Sequence, residues 1–354
     1  MNPVMIIDGR EVSGPESFDV VNPASGAVFA SAPECAEQQL DVSVRAAERA
    51  FAAWSNEAFP AGVVNVISGG DSLGARLSAH PAVRKISFTG SIPTGKSIAA
   101  AAAVDLKRVT LELGGNDAAI LLEDFDVDSM TEPLFWSAFL NTGQVCAAVK
   151  RVYAPAARCD EIADALAARA RSTRMGPGEV EGVELGPLQN RQQLERVAGL
   201  VDDAVGRGAR CVAGGARLEG GGFFFAQTVL ADARDGMPIV DEEQFGPAVP
   251  IIAYDDVEQA VVAANATRFG LGASVWSADE ERAARVGARL KCGTTWINTH
   301  ALPLSFVPFG GRDWSGIGVE GGRWGLEAFV DWHTVYTARR ASPQAESAIA
   351  QAVA

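Results

Sequence analysis

The chain is poor in the residues that would point to metals, nucleic acid or a covalent cross-linked framework. It has only three histidines, His80, His300 and His333, far apart and on no shared helical face, so no metal site is expected. Its five cysteines (Cys35, Cys146, Cys159, Cys211, Cys292) form no close-spaced pairs. An odd count in a chain of 354 residues argues against a disulfide scaffold and for a reducing compartment, the cytoplasm. Positive charge is in deficit. A formal net charge of -14 argues against nucleic acid and anionic membrane surfaces as partners. No apolar run reaches transmembrane length, and Met1-Asn2-Pro3-Val4 shows no basic stretch leading into an apolar one, so neither an anchor nor a signal peptide is expected. What remains, 48% hydrophobic and 21% charged, is the composition of a globular protein with room for two packed domains.

Residues 4–30 read as short strands broken by turns, with Asp8-Gly9 as a hairpin signal and Asn22–Gly26 as a second turn. Leu40, Val44, Ala47, Phe51 and Trp54 recur at four- and three-residue steps, which predicts a helix with one apolar face. The β-branched run Val63–Ile67, stopped by Ser68-Gly69-Gly70, predicts a buried strand. A helix near 72–78, a strand at 85–89, a helix through 98–103 and a strand at 109–113 follow. This alternation predicts a parallel α/β sheet. A second α/β unit begins past Gly115, with a strand at 118–122, helices at 160–172 and 191–206, a strand at 248–253 and a strand at 294–298. Ser277-Ala278-Asp279-Glu280 reads as a capping box opening a helix through Leu290. The segment after Arg340 reads as a frayed helix or disordered tail.

Five segments can carry chemistry. Gly90-Ser91 and Gly95 lie between a strand and a helix, where backbone can approach a phosphate at a helix N-terminus, or simply turn. Glu112 ends an apolar strand ahead of Gly114-Gly115, the end at which parallel sheets bind ligands; it is either a buried base or an exposed strand-end glutamate. Cys146 follows the flexible Gly143-Gln144 turn and is either a nucleophile or a core thiol. No basic residue is adjacent to Cys146 before Lys150, so activation of Cys146 would come from a helix N-terminus, a bound cationic cofactor or Glu112. Glu243 and Phe245, in a charged loop, suit a ribose hydroxyl and an aromatic ring, or a capped turn. Pro308–Gly311 with Ser315–Gly318 is a Gly-rich loop suited to a site mouth, or a plain connector. A thiol and a carboxylate 34 residues apart in sequence can, if the fold joins them, perform covalent catalysis.

Taken together, VNPASG at 21–26, PAGVVNVISG at 60–69, KISFTGS at 85–91, LKRVTLELGG at 106–115, FLNTGQVCAAVKRVY at 139–153, LGPLQNRQQ at 185–193, EEQFGP at 242–247, FGLGASVW at 269–276, GTTWINTH at 293–300 and PFGGRDWSGIG at 308–318 resemble the aldehyde dehydrogenase superfamily, in the family's order. The resemblance implies an NAD(P)-dependent oxidoreductase that turns an aldehyde into a carboxylic acid. Cys146 would be the nucleophile, passing through a thiohemiacetal and a thioester. Glu112 would be the general base that activates water. Gly90, Ser91 and Gly95 would form the cofactor-phosphate loop, Leu113 would also contact the cofactor, and Glu243 and Phe245 would meet the nicotinamide ribose and ring.

The implied fold is an incomplete Rossmann-type parallel sheet plus a second α/β catalytic domain. Its divisions are 1–114 (truncated N-terminal and cofactor-binding domain), 115–305 (catalytic domain), 306–340 (return and oligomerisation segment) and 341–354 (tail). The N-terminal strands and a strand near Val330–Tyr336 resemble elements of a homo-oligomer. The sequence also departs from the family. Ser55 runs directly into Asn56–Phe59, which resembles the helix ahead of PAGVVN. On the order of 130 residues of family length are absent there. The absent segment includes an oxyanion-hole asparagine and the lysine and glutamate that hold the adenosine ribose. Losing one oxyanion donor typically costs about 10²–10³ in turnover. The alternative reading is therefore an impaired or inactive relative, a partner subunit or deletion remnant. The choice of NAD or NADP, and the aldehyde, stay open.

Overall fold

In the computed structural model, residues 3–54 and 59–337 are described. The chain opens with two hairpins. β1 (Met5–Ile7) pairs antiparallel with β2 (Arg10–Val12) through Asp8-Gly9, both left-handed, the geometry that suits a two-residue turn between twisted strands. β3 (Glu16–Asn22) pairs with β4 (Ala27–Glu34), and the Asn22 side chain closes the turn by accepting the Ala24 N–H at 2.9 Å. Helix α1 (Glu37–Trp54) follows, then α2 (Asp71–Ala79), β5 (Lys85–Thr89), α3 (Ile92–Val104) and β6 (Arg108–Glu112).

The second half runs β7 (Asp117–Leu121), α4 (Val127–Phe139), β8 (Val149–Pro155), α5 (Cys159–Ser172), α6 (Arg191–Gly206), β9 (Arg210–Ala213), β10 (Thr228–Ala233), α7 (Pro238–Asp241), β11 (Ala248–Tyr254), α8 (Val257–Asn265), β12 (Gly272–Trp276), α9 (Glu280–Gly287) and β13 (Thr294–Ile297). The short β14 (Gly316–Ile317) and α10 (Gly322–Glu327) close it.

Seven strands form one sheet in the order β13-β12-β7-β8-β11-β10-β9, parallel except for β9. Side chains alternate across β7: Ala118 and Ile120 join the core under α6, α8 and α9, whereas Ala119 and Leu121 join the core under α4 and α5. Both faces are therefore dry. The smaller sheet, β14-β6-β5, is parallel between β5 and β6 and covered on one face by α3, where Ile86, Phe88, Val109 and Leu111 meet Ile98. The fold is mixed α/β, as the resemblance implied.

Four expectations need correction. Val63–Ile67 is not a strand: only Val66 pairs, exchanging both backbone hydrogen bonds with Ile6, and Val64 and Val66 face solvent at 61% and 54% exposure. A β-branched run becomes a strand only beside a continuous partner edge, and among the described residues none is offered to it. Val330–Tyr336 is likewise irregular and exposed. On α1 the buried face is Leu40, Ser43, Val44, Ala46 and Ala50, while Phe51 and Trp54 point outward, with the Trp54 ring 5.9 Å from that of Phe59. The cap of α9 is Asp279, accepting from the Arg282 N–H, because Ser277 is drawn away to Asp124, and the helix ends at Gly287. The tail reading after Arg340 and most of the helix reading over Asn56–Phe59 fall outside the described residues.

Candidate active site

Glu112 is the last residue of β6, between Thr89 of β5 and Gly316 of β14. The strand delivers it to the sheet's C-terminal end, and burial leaves both carboxylate oxygens without a hydrogen-bond partner. Burial, with the charge of Glu320 adding to it, pushes its carboxyl up to about 8. Such a group is neutral in acid and available as a base above that pH.

The Gly90–Gly95 turn is built onto the same strand end. The Gly90 N–H donates to the Glu112 carbonyl at 3.0 Å. Ser91 caps α3 by accepting the Thr94 N–H at 3.3 Å. Gly95 lies beneath, where a Cβ would fall 2.5 Å from Leu113 Cδ2, so any larger residue there would push the Leu113 side chain aside. Leu113 is held in turn by donating its N–H to the Ser315 carbonyl at 3.0 Å.

Cys146 sits on the loop between α4 and β8. Three consecutive residues before it, Asn141, Thr142 and Gly143, are left-handed, with φ of 52, 60 and 71°. For a β-branched threonine this is an outlier that surrounding contacts must hold in place. Thr142 Oγ1 donates to the Gly186 carbonyl at 2.9 Å, the Gln144 side chain amide donates to the Asn141 and Pro187 carbonyls, and Lys150 Nζ donates to the Gly143 carbonyl. Cys146 is half-buried and leads into a strand, not a helix, which removes one of the three activations considered above. Burial pushes its thiol up, the negative charges of Asp117, Glu112 and Glu243 add to that, and the Ala147 N–H opposes them.

The third wall is the loop after α7. Glu243 Oε1 accepts the Gly115 N–H at 3.2 Å, and a Cβ on Gly114 would lie 2.0 Å from its other oxygen. Burial raises the Glu243 carboxyl to about 7 against the pull of Lys150. Phe245 is left-handed and presents its ring toward Lys150, 5.6 Å away.

Gly90, Ser91, Glu112, Leu113, Cys146, Glu243 and Phe245 all line one cleft of about 810 Å³. Gly95 stands behind Leu113 and shapes the cleft without lining it. The sequence reading missed Gln193 and Arg196, one helical turn apart on α6. Gln193 donates to the Gln244 and Phe245 carbonyls at 2.7 and 3.0 Å, and Arg196 pairs with Glu242 at 3.0 Å. Their i, i+3 spacing on a helix start was the available signal. It missed Lys150 as well, which reads as a strand residue until its partners are seen. Among the described residues no group of three or more His, Cys, Asp or Glu is placed to hold a metal.

Comparison with known proteins shows the family. Residues 55–335 match the Aldehyde dehydrogenase family. The betaine aldehyde dehydrogenase of Rhizobium etli is 41% identical over 280 residues, 78% of this chain and 58% of that protein. The 3-sulfolactaldehyde dehydrogenase of Pseudomonas putida is 40% identical over 273 residues, 77% of this chain and 56% of that protein. The chain thus spans less than two thirds of the length of these curated relatives. The aldehyde dehydrogenase of Bacillus cereus, solved as an NAD+ complex, superposes with a TM-score of 0.88 at 27% identity, covering 94% of this chain and 95% of that one.

Proposed function

The chain belongs to the aldehyde dehydrogenase family, and from that premise we propose that it oxidises an aldehyde to a carboxylic acid, with Cys146 as nucleophile and Glu112 as base. The supporting observation is that a half-buried thiol and a buried, unpartnered carboxylate line the same cleft. The residues fit a nicotinamide dinucleotide on one side of that cleft: Gly90 and Ser91 at the N-terminus of α3 suit phosphate, and Glu243 with Phe245 suit the ribose and ring. When bound, NAD+ or NADP+ accepts the aldehyde hydrogen as hydride.

This chain's own residues do the rest. Cys146 Sγ, as thiolate, adds to the aldehyde carbonyl and leaves an alkoxide, and loss of the hydride turns the adduct into a thioester. Glu112 takes a proton from water as that water adds to the thioester carbonyl. Collapse expels the Cys146 sulfur and releases the acid. A base raised to about 8 holds little charge near neutrality, so the hydrolytic step gains rate as pH climbs toward that value.

Residues 1–114 form the cofactor side, 115–305 the catalytic side, 306–340 the return and 341–354 the tail. All five thiols are free, which suits the cytoplasm, and no described helix is long and apolar enough to cross a membrane. The exposed apolar residues Phe29 on β4 and Trp332 suit a homo-oligomer.

Calorimetric titration with NAD+ and NADP+, followed by NADH or NADPH formation across an aldehyde panel, tests the reading. Turnover that disappears in Cys146→Ala is expected. Absence of cofactor binding by the folded chain would sink it and leave the inactive relative standing.

A further inference from the structure

One buried charge has no part in the reaction just described. Lys150 is the second residue of β8, a strand in which every residue is buried, and it is itself 1% exposed. A lysine there is costly unless its ammonium is well partnered. Its partners belong to both loops of the cleft. The ammonium donates to the carbonyl of Gly143, the last of the three left-handed residues before the nucleophile. It also faces the Phe245 ring, within the range of a cation–π contact, and lies in the field of Glu243. Glu243 in turn holds the Gly115 N–H, three residues past Glu112.

We propose that Lys150 is a positioning residue for Cys146: its ammonium ties the strained nucleophile loop to the Glu243–Phe245 loop and brings positive charge to a thiol otherwise surrounded by carboxylates. The inference rests on the proposed role of Cys146. The groups facing that thiol are Glu112 from β6, Asp117 from β7 and Glu243 from the loop after α7, all acidic. Asp117 is accompanied by His300 at 3.4 Å, and Glu243 by the nearby Arg196. Burial brings the Lys150 ammonium down to about 8, opposed by Glu243, Asp117 and Cys146. Above that pH the tether loses its charge, so Cys146 should gain less reactivity with rising pH than a lone thiol would.

The test uses the full chain and iodoacetamide, following each cysteine separately by peptide mass mapping between pH 6 and 10. This readout needs neither cofactor nor aldehyde. Lys150→Met keeps length and apolar packing but removes the donor. It is expected to slow Cys146 alkylation about tenfold near pH 7.5, the size of losing a hydrogen bond from a charged donor, while Cys159 and Cys211 react as before. Lys150→Arg keeps its charge at every pH used, so its Cys146 profile should flatten less above about pH 8 than the wild type's, keeping only the part that Glu112 and Glu243 impose. An unchanged Cys146 rate in folded Lys150→Met overturns the proposal. Should Lys150→Met fail to fold, a Lys150→Arg profile that coincides with the wild type's overturns it instead. Slowed alkylation in Lys150→Met beside a wild type that turns over no aldehyde would leave the tether intact and defeat the dehydrogenase reading alone.

Discussion

Two apolar runs of this molecule are similar in sequence and end in different states. Ala118–Leu122 and Val63–Ile67 are both short apolar runs bounded by polar or glycine-rich residues. The first is fully buried, flanked by β8 and β12 and covered on both faces by helices. The second makes one bridging pair and turns two valines to solvent. Between these extremes, β5 is an edge strand whose residues are half-buried or exposed. Apolar pattern makes a segment able to be a strand, and a paired edge makes it one. The region with missing neighbours also carries Phe51, Trp54 and Phe59 on its surface, at 73%, 44% and 71% exposure.

That contrast can be broken or sharpened by measurement. The largest effect belongs to Glu112, which stands at the seam of the two regions. Glu112→Gln should lower turnover by about 10²–10⁴, the usual yield of a general base, read as steady-state NADH formation. The same substitution should stabilise the fold in alkali. A carboxyl raised from 4.5 to about 8 is disfavoured as an anion in the native state, so wild-type stability falls as pH rises across that window. The shift of about 3.5 units corresponds to at most about 5 kcal/mol at 1.36 kcal/mol per unit. Thermal melts at pH 5 and pH 9 should diverge for wild type and diverge less for Glu112→Gln, the remainder belonging to groups such as Glu243; equal divergence in both would refute the buried-base assignment.

Next in size, Trp276→Ala on β12 should cost about 3–5 kcal/mol in urea unfolding, whereas Val66→Ala should cost under about 0.5 kcal/mol. Comparable losses would erase the difference drawn between a covered strand and an unpaired run. Gly95→Ala, which drives a methyl into Leu113, should cost about 1–3 kcal/mol. The smallest effect is expected for Phe51→Ser, within about 0.5 kcal/mol in stability, with reduced binding of the apolar dye ANS. Amide exchange completes the series: β5 should exchange faster than β7 and β8.

Much of the site was legible before any coordinates. Local chemistry left Glu112, Cys146, Gly90, Ser91, Gly95, Glu243 and Phe245 open, the family resemblance singled them out, and all but Gly95 line the cleft. In the second half α5 and α6 were legible because a hydrophobic periodicity coincides with a complete core, and the Arg191–Gly206 boundaries agree at both ends; α4 and α8 were not read. Two kinds of feature escaped. Val63–Ile67 and Val330–Tyr336 depend on partners that no local pattern encodes. Lys150 depends on contacts to Gly143 and Phe245, the latter 95 positions away, and a lysine inside an apolar strand gives no sign of which loops its ammonium joins. Ser277 shows the same limit on a smaller scale, since Asp124 competes for its hydroxyl and shifts the helix cap by two residues.

The glycine that closes the left-handed run sits back to back with another. A Cβ on Gly143 would fall 2.2 Å from the carbonyl oxygen of Gly246, one residue past Phe245. The thiol-bearing loop and the aromatic-bearing loop therefore interlock backbone against backbone, with no side chain between them to yield. Neither loop can be lengthened, shifted or resurfaced alone. For anyone reshaping this cleft toward a new aldehyde, the two loops form one inheritable part, to be exchanged together or left as they are.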